Sequence, residues 1–200
     1  MNFDYHGRIS EIINKSEYGT VFVSADFTDI TDKKTVNVIL ERIAAGGQLR
    51  RIIRGVYDKP LYNDFLDEYL VPSPDLVANA LARNYGWSVV PCGDTALNLL
   101  GLSTQMPAAW TYVSDGPYKE YSFENTTLKF KRITNKEISK LSYKSALVVQ
   151  ALKALGKENV TDSVLLKLKN DLTADEKNKL LNEAKSVTSW IYEYIKLICR

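Results

Sequence analysis

The sequence predicts an α/β protein of the α+β type, with helices and strands largely in separate segments. In the first sixty residues, amphipathic helical repeats are followed by two β-rich runs around an Arg-Gly pair. Three further β-rich runs separated by turn residues lie mid-chain, and helical periodicity begins near Ser142. We therefore expect an N-terminal domain over residues 1–60, an α+β domain over 61–135 and a C-terminal helical subdomain over 136–200.

Composition narrows the function classes before any motif is considered. The chain has 200 residues, 25% of them charged, and no apolar run approaches the ~18 residues of a membrane-spanning helix. The first residues lack the apolar run of a signal peptide, so we expect a cytoplasmic protein without a membrane partner. The two cysteines, Cys92 and Cys199, lie far apart in the sequence. The single histidine, His6, is expected in a mobile N-terminal segment. We accordingly expect no metal and no cofactor.

The net charge of +2 conceals a local basic block. Residues 33–59 contain seven basic and two acidic side chains, which gives +5 over that stretch. Such a block on a nearly neutral protein is typical of a surface that binds a polyanion. The alternative interpretation is a solvated, lysine-rich face.

Short helices are predicted in the N-terminal domain. Arg8–Lys15 has isoleucines at helical spacing, and Ser24 can cap a second short helix. Thr31 or Asp32 can cap a third helix over Lys33–Ala45, which ends at a Gly-Gly pair. Its predicted buried stripe consists of Val36, Ile39, Leu40 and Ile43.

The third helix and the hairpin after it carry the predicted binding residues. A hairpin is expected around Arg54-Gly55, and helices followed by a hairpin predict a winged helix-turn-helix. Its third helix can enter the major groove of DNA while the hairpin arginines contact phosphates or the minor groove. Glu41, on the helix face, opposes this interpretation, and a small helical domain with an incidental charged hairpin is the alternative. The predicted DNA contacts are Lys33, Lys34, Thr35, Asn37 and Arg42 on the helix and Arg50, Arg51 and Arg54 on the hairpin.

The middle domain is predicted to combine helices with an antiparallel meander. Ser73-Pro74 begins one helix, and a short helix capped by Asp94 follows a buried strand. The meander is expected from the runs Trp110–Ser114, Lys119–Phe123 and Thr127–Arg132. A ligand or partner site could be formed by Asp94, Asn98 and Gln105. The favoured interpretation is structural: Asp94 caps a helix, and the other two side chains bridge backbone groups of a buried turn.

Two groups of residues carry a resemblance to a known family. In the N-terminal domain they are the runs Val36-x-x-x-Leu40-x-Arg42-Ile43-x-x-Gly46-Gly47-x-Leu49-Arg50-Arg51 and Arg54-Gly55-Val56-Tyr57-x-x-Pro60. In the middle domain it is the run from Gly93 to Leu102 that precedes the meander. These residues resemble AbiEi-type proteins, the antitoxin and autorepressor halves of type IV toxin–antitoxin, or abortive-infection, systems.

The resemblance implies a function and partners. It implies a transcriptional autorepressor that binds double-stranded DNA at inverted repeats of its own promoter. It also implies an antitoxin that neutralises a nucleotidyltransferase-type toxin through the domain after the winged helix, with no stable toxin complex required.

The C-terminal segment is predicted to be helical. Helices are expected over Tyr143–Leu155, over Thr161–Lys169 and after a capping box that begins at Thr173. An apolar stripe over Trp190–Ile198 is expected to pack against the meander, with self-association or a protein partner as the alternative. The scattered lysines of this segment are interpreted as a solvated exterior, with a secondary phosphate-tracking surface as the alternative.

Enzymatic function is not expected. The sequence has no phosphate-binding glycine loop and no nucleophile elbow. On a strand that follows Asp115, neither Lys129 nor Lys131 has an acidic residue two positions before it, as the acidic-x-lysine step of a nuclease requires. The alternative to a DNA-binding repressor is a protein-interaction module with a winged helix that does not bind DNA. A metal-dependent nuclease with an unrecognised site is a weaker third option.

Overall fold

The computed structural model of the chain describes residues 4–133 and 140–200. The described elements form an α+β fold, which confirms the predicted fold class. Within these ranges, no helix combines the length and apolar character that crossing a bilayer requires.

The chain divides into two compact units. The first comprises the chain up to Trp87 together with Tyr121–Thr126, and the second comprises Ser88–Glu120 and the chain from Thr127. These units divide the chain differently from the predicted segments, since neither unit ends at residue 60. The other predicted boundary, at residue 135, lies outside the described residues.

The first unit is built from short helices and a small antiparallel sheet. Its elements are α1 Tyr5–Lys15, β1 Val21–Val23, a 3-10 helix Ser24–Phe27, α2 Lys33–Ala45, β2 Arg50–Ile53, β3 Val56–Asp58, β4 Tyr62–Asn63, β5 Glu68–Tyr69 and α3 Pro74–Tyr85. Strand β3 pairs antiparallel with both β1 and β2, so the sheet order is β1-β3-β2. Helices α1 and α2 and the 3-10 helix pack around a common core that includes Ile9, Ile13, Phe22, Phe27, Val36, Leu40 and Tyr57.

Helix α1 begins earlier than the isoleucine spacing predicts. The Asp4 side chain caps it, because Asp4 Oδ1 accepts a hydrogen bond from the Gly7 amide at 2.8 Å. His6 therefore lies in the first turn of an ordered helix, and its predicted placement in a mobile start is wrong.

The segment after β3 forms a second, smaller hairpin that the sequence analysis did not predict. The Tyr62 and Tyr69 rings pack edge to face at 5.1 Å between centroids. At the tip, Asn63 Oδ1 accepts hydrogen bonds from the amides of Phe65 and Leu66. This turn holds the Phe65 side chain in solvent, where it is 94% exposed.

The second unit combines a sheet with a group of helices. Its helices are α4 Asp94–Leu99, α5 Tyr143–Leu155, α6 Asp162–Asp171, α7 Ala174–Glu183 and α8 Ser189–Cys199. The strands of the sheet are β6 Val89–Pro91, β7 Trp110–Ser114, β8 Lys119–Phe123 and β9 Thr126–Arg132. Of these, the last three residues of β8 and the first residue of β9 belong to the stretch grouped with the first unit.

The order of the strands corrects the predicted meander. Strand β9 lies between β7 and β8 and runs parallel to β7, with Trp110 opposite Leu128. Burial explains this order, because Leu128 and Phe130 on β9 are fully buried, whereas β8 is mostly exposed and suits an edge. The short link between β7 and β8 can still span the intervening strand, since neighbouring strands lie ~4.8 Å apart.

The C-terminal helices share a core of their own. Ile191, Ile195 and Ile198 of α8 are buried among side chains of α5, α6 and α7, including Leu152 and Leu168. The apolar stripe of α8 therefore packs on helices rather than on the predicted meander. Helix α5 packs on the sheet, where its Ala146 contacts residues of β6 and β7.

Candidate nucleic-acid interface

Helix α2 is fixed at its start by an acidic cap. The carboxylate of Asp32 accepts hydrogen bonds from the Lys34 and Thr35 amides at 2.9 and 3.1 Å and from the Thr35 hydroxyl at 2.7 Å. The bond from the Thr35 hydroxyl, with these amides, lowers the pKa of Asp32. Thr35, predicted as a DNA contact, therefore serves the helix cap.

Three of the predicted contact residues on α2 project into solvent. Lys34, Asn37 and Arg42 are exposed, and within residues 4–133 and 140–200 their side chains form no hydrogen bond or ion pair. Lys33 differs, because its Nζ donates to the carbonyl oxygen of Asn84, in the last turn of α3, at 3.1 Å. Lys33 is thus engaged within the first unit.

The β2–β3 hairpin has an irregularity that decides which arginine is exposed. Gly55 has a φ of 78° and closes the turn. A regular two-residue turn would place Arg51 opposite Asp58, but a bulge at Ile52 shifts the register so that Arg50 faces Asp58. Arg51 and Arg54 are left exposed and form no ion pair with any other described residue.

Arg50 is committed to interactions within the protein. Its Nε and Nη2 donate to the two carboxylate oxygens of Asp58 at 3.1 and 2.6 Å, and Nη2 also donates to the Leu70 carbonyl oxygen at 2.7 Å. Asp58 is 1% exposed, so the pair is partly desolvated. The predicted role of Arg50 as a phosphate contact is therefore replaced by a structural one.

Lys59 is the third residue of the basic block, after Lys33 and Arg50, whose charged group is hydrogen-bonded within the protein. Its buried Nζ donates to the carbonyl oxygens of Ile13, Asn14 and Ser16 at 3.1, 2.9 and 2.8 Å, at the end of α1. The ammonium also lies 4.6 Å from the centroid of the Tyr18 ring. Of the seven basic side chains of residues 33–59, four remain exposed with neither a hydrogen bond nor an ion pair to described residues: Lys34, Arg42, Arg51 and Arg54.

Helix α2 and the hairpin act electrostatically on a shared residue, Tyr57. Burial raises the pKa of Tyr57, the negative charge of Glu41 raises it further, and the positive charge of Arg51 lowers it. Tyr57, on β3, also packs in one core with Val36 and Leu40 of α2, so the helix and the hairpin are adjacent. Glu41 is an exposed carboxylate on the same helix as Lys34 and Arg42, and it opposes the attraction of that face to phosphate.

The middle-domain candidates are engaged in backbone contacts. The side-chain amide of Asn98 donates to the Gln105 carbonyl oxygen at 3.1 Å, which supports the structural interpretation of that turn. Asp94 is the first residue of α4, and Gly93 rather than Asp94 occupies the capping position. In the part of the chain that the structure describes, no three histidine, cysteine or acidic side chains are grouped to hold a metal ion.

Comparison with known proteins gives a family but no named relative. None of the curated proteins matches the chain. A family profile matches residues 8–180, a span that includes α1 from Arg8 onward, α2, both hairpins and most of the second unit. The chain belongs to that family, a family of unknown function designated DUF6088.

Proposed function

We propose that this protein is a sequence-specific DNA-binding transcriptional regulator whose first unit acts as a winged helix-turn-helix. One observation carries the proposal: the cations of α2 and of the β2–β3 hairpin that have no ion-pair partner among the described residues are all exposed. Solvent-exposed cations without carboxylate partners are the groups that replace counterions on a DNA backbone.

The two elements have different roles in the proposed complex. Helix α2 enters the major groove, which is ~12 Å wide, and presents Lys34, Asn37 and Arg42 to base edges and nearby phosphates. Asn37 is the base-reading candidate, because a side-chain amide can donate to and accept from adenine. Arg51 and Arg54 contact phosphates or the adjacent minor groove, as cations of a wing can.

The resemblance to AbiEi-type proteins extends the proposal beyond DNA binding. It adds autorepression at inverted repeats of the protein's own promoter, in the cytoplasm. It further adds neutralisation of a nucleotidyltransferase-type toxin by the second unit, without a stable complex. These additions rest on the quoted motifs alone, whereas DNA binding also has the exposed cations as support.

Binding of the full chain to the DNA upstream of its own gene tests the proposal. Fluorescence anisotropy should compare that fragment with a scrambled duplex of equal composition between 50 and 200 mM salt. We expect affinity for the upstream fragment at least ~10³-fold higher, a ratio ordinary for specific regulators. Four exposed cations predict a slope of log affinity on log salt of about −3 or steeper. Weak and equal binding to both duplexes would refute the proposal.

A protein-interaction module is the second candidate, and the β4–β5 hairpin favours it. A hydrogen-bonded turn holds Phe65 almost fully in solvent, and the hairpin contains Asp64, Asp67 and Glu68 but no lysine or arginine. An exposed aromatic flanked by acidic residues suits a protein partner with a basic surface. A DNA-binding first unit predicts that Phe65→Ser leaves specific DNA affinity unchanged, whereas the protein-interaction module predicts no specific DNA binding by either the parent or Phe65→Ser.

A further inference from the structure

A cavity of about 580 Å³ lies between the first turn of α1 and the outward side of α2. Lys34 and Arg42, which belong to the proposed DNA face, also line this cavity, so the two surfaces are continuous. The titratable and charged groups around it are Asp4, Tyr5 and His6 from α1 and its cap, and Asp32, Lys34 and Arg42 from α2 and its cap.

Both carboxylates at the cavity are held by helix caps. Asp4 accepts from the Gly7 amide, and Asp32 accepts from two amides and the Thr35 hydroxyl. These bonds lower the pKa of Asp32, which therefore keeps its charge well below neutral pH. Neither carboxylate forms an ion pair with Lys34, Arg42 or His6.

The charge of the cavity depends on one residue. Lys34 and Arg42 balance Asp4 and Asp32, so the lining is neutral when the His6 imidazole is neutral and +1 when it is protonated. His6 is the only histidine of the chain. Its Nδ1 lies 3.5 Å from the Ser10 hydroxyl, which leaves Nε2 as the nitrogen available to an external acceptor.

We propose that this cavity seats a phosphate of the DNA backbone and that protonated His6 donates to it, so that DNA binding is linked to proton uptake. The inference rests on the proposed function, because the phosphate is one of the duplex held by α2. A phosphate suits the site because its oxygens accept from imidazolium, ammonium and guanidinium groups at once. Imidazole is the side chain that exchanges a proton between pH 5 and 8.

Two substitutions at His6 test the inference in opposite directions. His6→Gln keeps a polar side chain without charge, and His6→Arg supplies a cation at every pH. DNA affinity and its salt dependence should be measured by anisotropy on the upstream fragment at pH 5.5 and pH 8, at equal ionic strength. Lys15→Gln is the matched control, because it removes an exposed cation at the opposite end of α1, away from the cavity.

We expect the unsubstituted protein to bind roughly tenfold more tightly at pH 5.5 than at pH 8, with a salt slope steeper by about 0.9. His6→Gln should bind at both pH values as the parent does at pH 8, and His6→Arg as the parent does at pH 5.5. Lys15→Gln should keep the pH dependence of the parent.

Two results would overturn the inference while leaving the proposed function intact. One is specific DNA binding by the parent that does not change with pH. The other is a pH dependence in His6→Gln that equals that of the parent, which would show that a group other than His6 takes up the proton on DNA binding. Absence of specific binding by both the parent and His6→Arg at either pH would instead refute DNA binding itself, and the phosphate seat with it.

Discussion

Arg50 and Asp58 face each other across β2 and β3, and two guanidinium nitrogens of Arg50 contact both carboxylate oxygens of Asp58 at 3.1 and 2.6 Å. The same guanidinium donates to the Leu70 carbonyl oxygen, beyond the β4–β5 hairpin. The ion pair thus fixes the base of the proposed wing to the segment that leads into α3. Arg50 positions the wing, whereas Arg51 and Arg54 remain available on it.

Removing either member of this pair should weaken DNA binding equally. Arg50→Met leaves Asp58 buried without its partner, and we expect a loss of about 3 kcal/mol in the free energy of unfolding, measured by urea denaturation. Asp58→Asn should lower DNA affinity as much as Arg50→Met does, with the salt slope unchanged. If Arg50 were a phosphate contact, Asp58→Asn would release it and would not lower affinity.

Arg51→Ala and Arg54→Ala should weaken binding to every duplex and flatten the salt slope by about 0.9 each. The reason is that each exposed guanidinium is expected to neutralise one phosphate. Anisotropy between 50 and 200 mM salt measures both quantities, and thermal unfolding should show unchanged stability. If the slope of log affinity on log salt is the same in both variants as in the parent, the wing does not contact DNA.

Asn37→Ala should change sequence preference rather than overall affinity. Loss of a bidentate amide contact to adenine typically costs about 1–3 kcal/mol of discrimination, so the ratio of affinities for upstream and scrambled duplexes should fall. Binding to the scrambled duplex should stay near that of the parent. An equal loss on both duplexes would contradict a base-reading role.

Lys59→Met should destabilise the first unit without touching its proposed DNA face. The substitution keeps the apolar stem but removes the ammonium that donates to three carbonyl oxygens at the end of α1. We expect a loss of about 2 kcal/mol in the free energy of unfolding, with faster amide hydrogen exchange in α1. Lys15→Met, which removes an exposed ammonium from the same helix, should cost only a few tenths of a kcal/mol. Equal losses in the free energy of unfolding for Lys59→Met and Lys15→Met would show that the buried hydrogen bonds of Lys59 do not stabilise the protein.

The elements that local signals define were predicted well. The bounds of α2, from Lys33 to Ala45, and of α5, from Tyr143 to Leu155, agree with the structure. Each begins after a polar capping residue and ends at glycine, and these signals lie within a few residues of the element they bound. The strands β7 and β8 also have the predicted bounds.

The sequence does not predict which hydrogen-bond or ion-pair partner a side chain finds on an element distant in the chain. Seven basic residues looked alike, yet Lys33, Arg50 and Lys59 bind carbonyl or carboxylate groups that come from other elements. The bulge at Ile52 decides which arginine pairs with Asp58, and nothing in the local sequence predicts a bulge there. The Asp4 cap of α1 was accessible from the sequence, since an aspartate three residues before Gly7 can begin a helix.

The position of β9 between β7 and β8 has a consequence for the chain during its synthesis. Strand β7 can pair with β6 as soon as it emerges from the ribosome, but its other edge has no partner until β9 follows, 18 residues later at Leu128. At ordinary elongation rates that delay is roughly one to four seconds. During that interval the nascent protein exposes an open strand edge of the kind that recruits other chains, so a pause before Thr126 would favour aggregation.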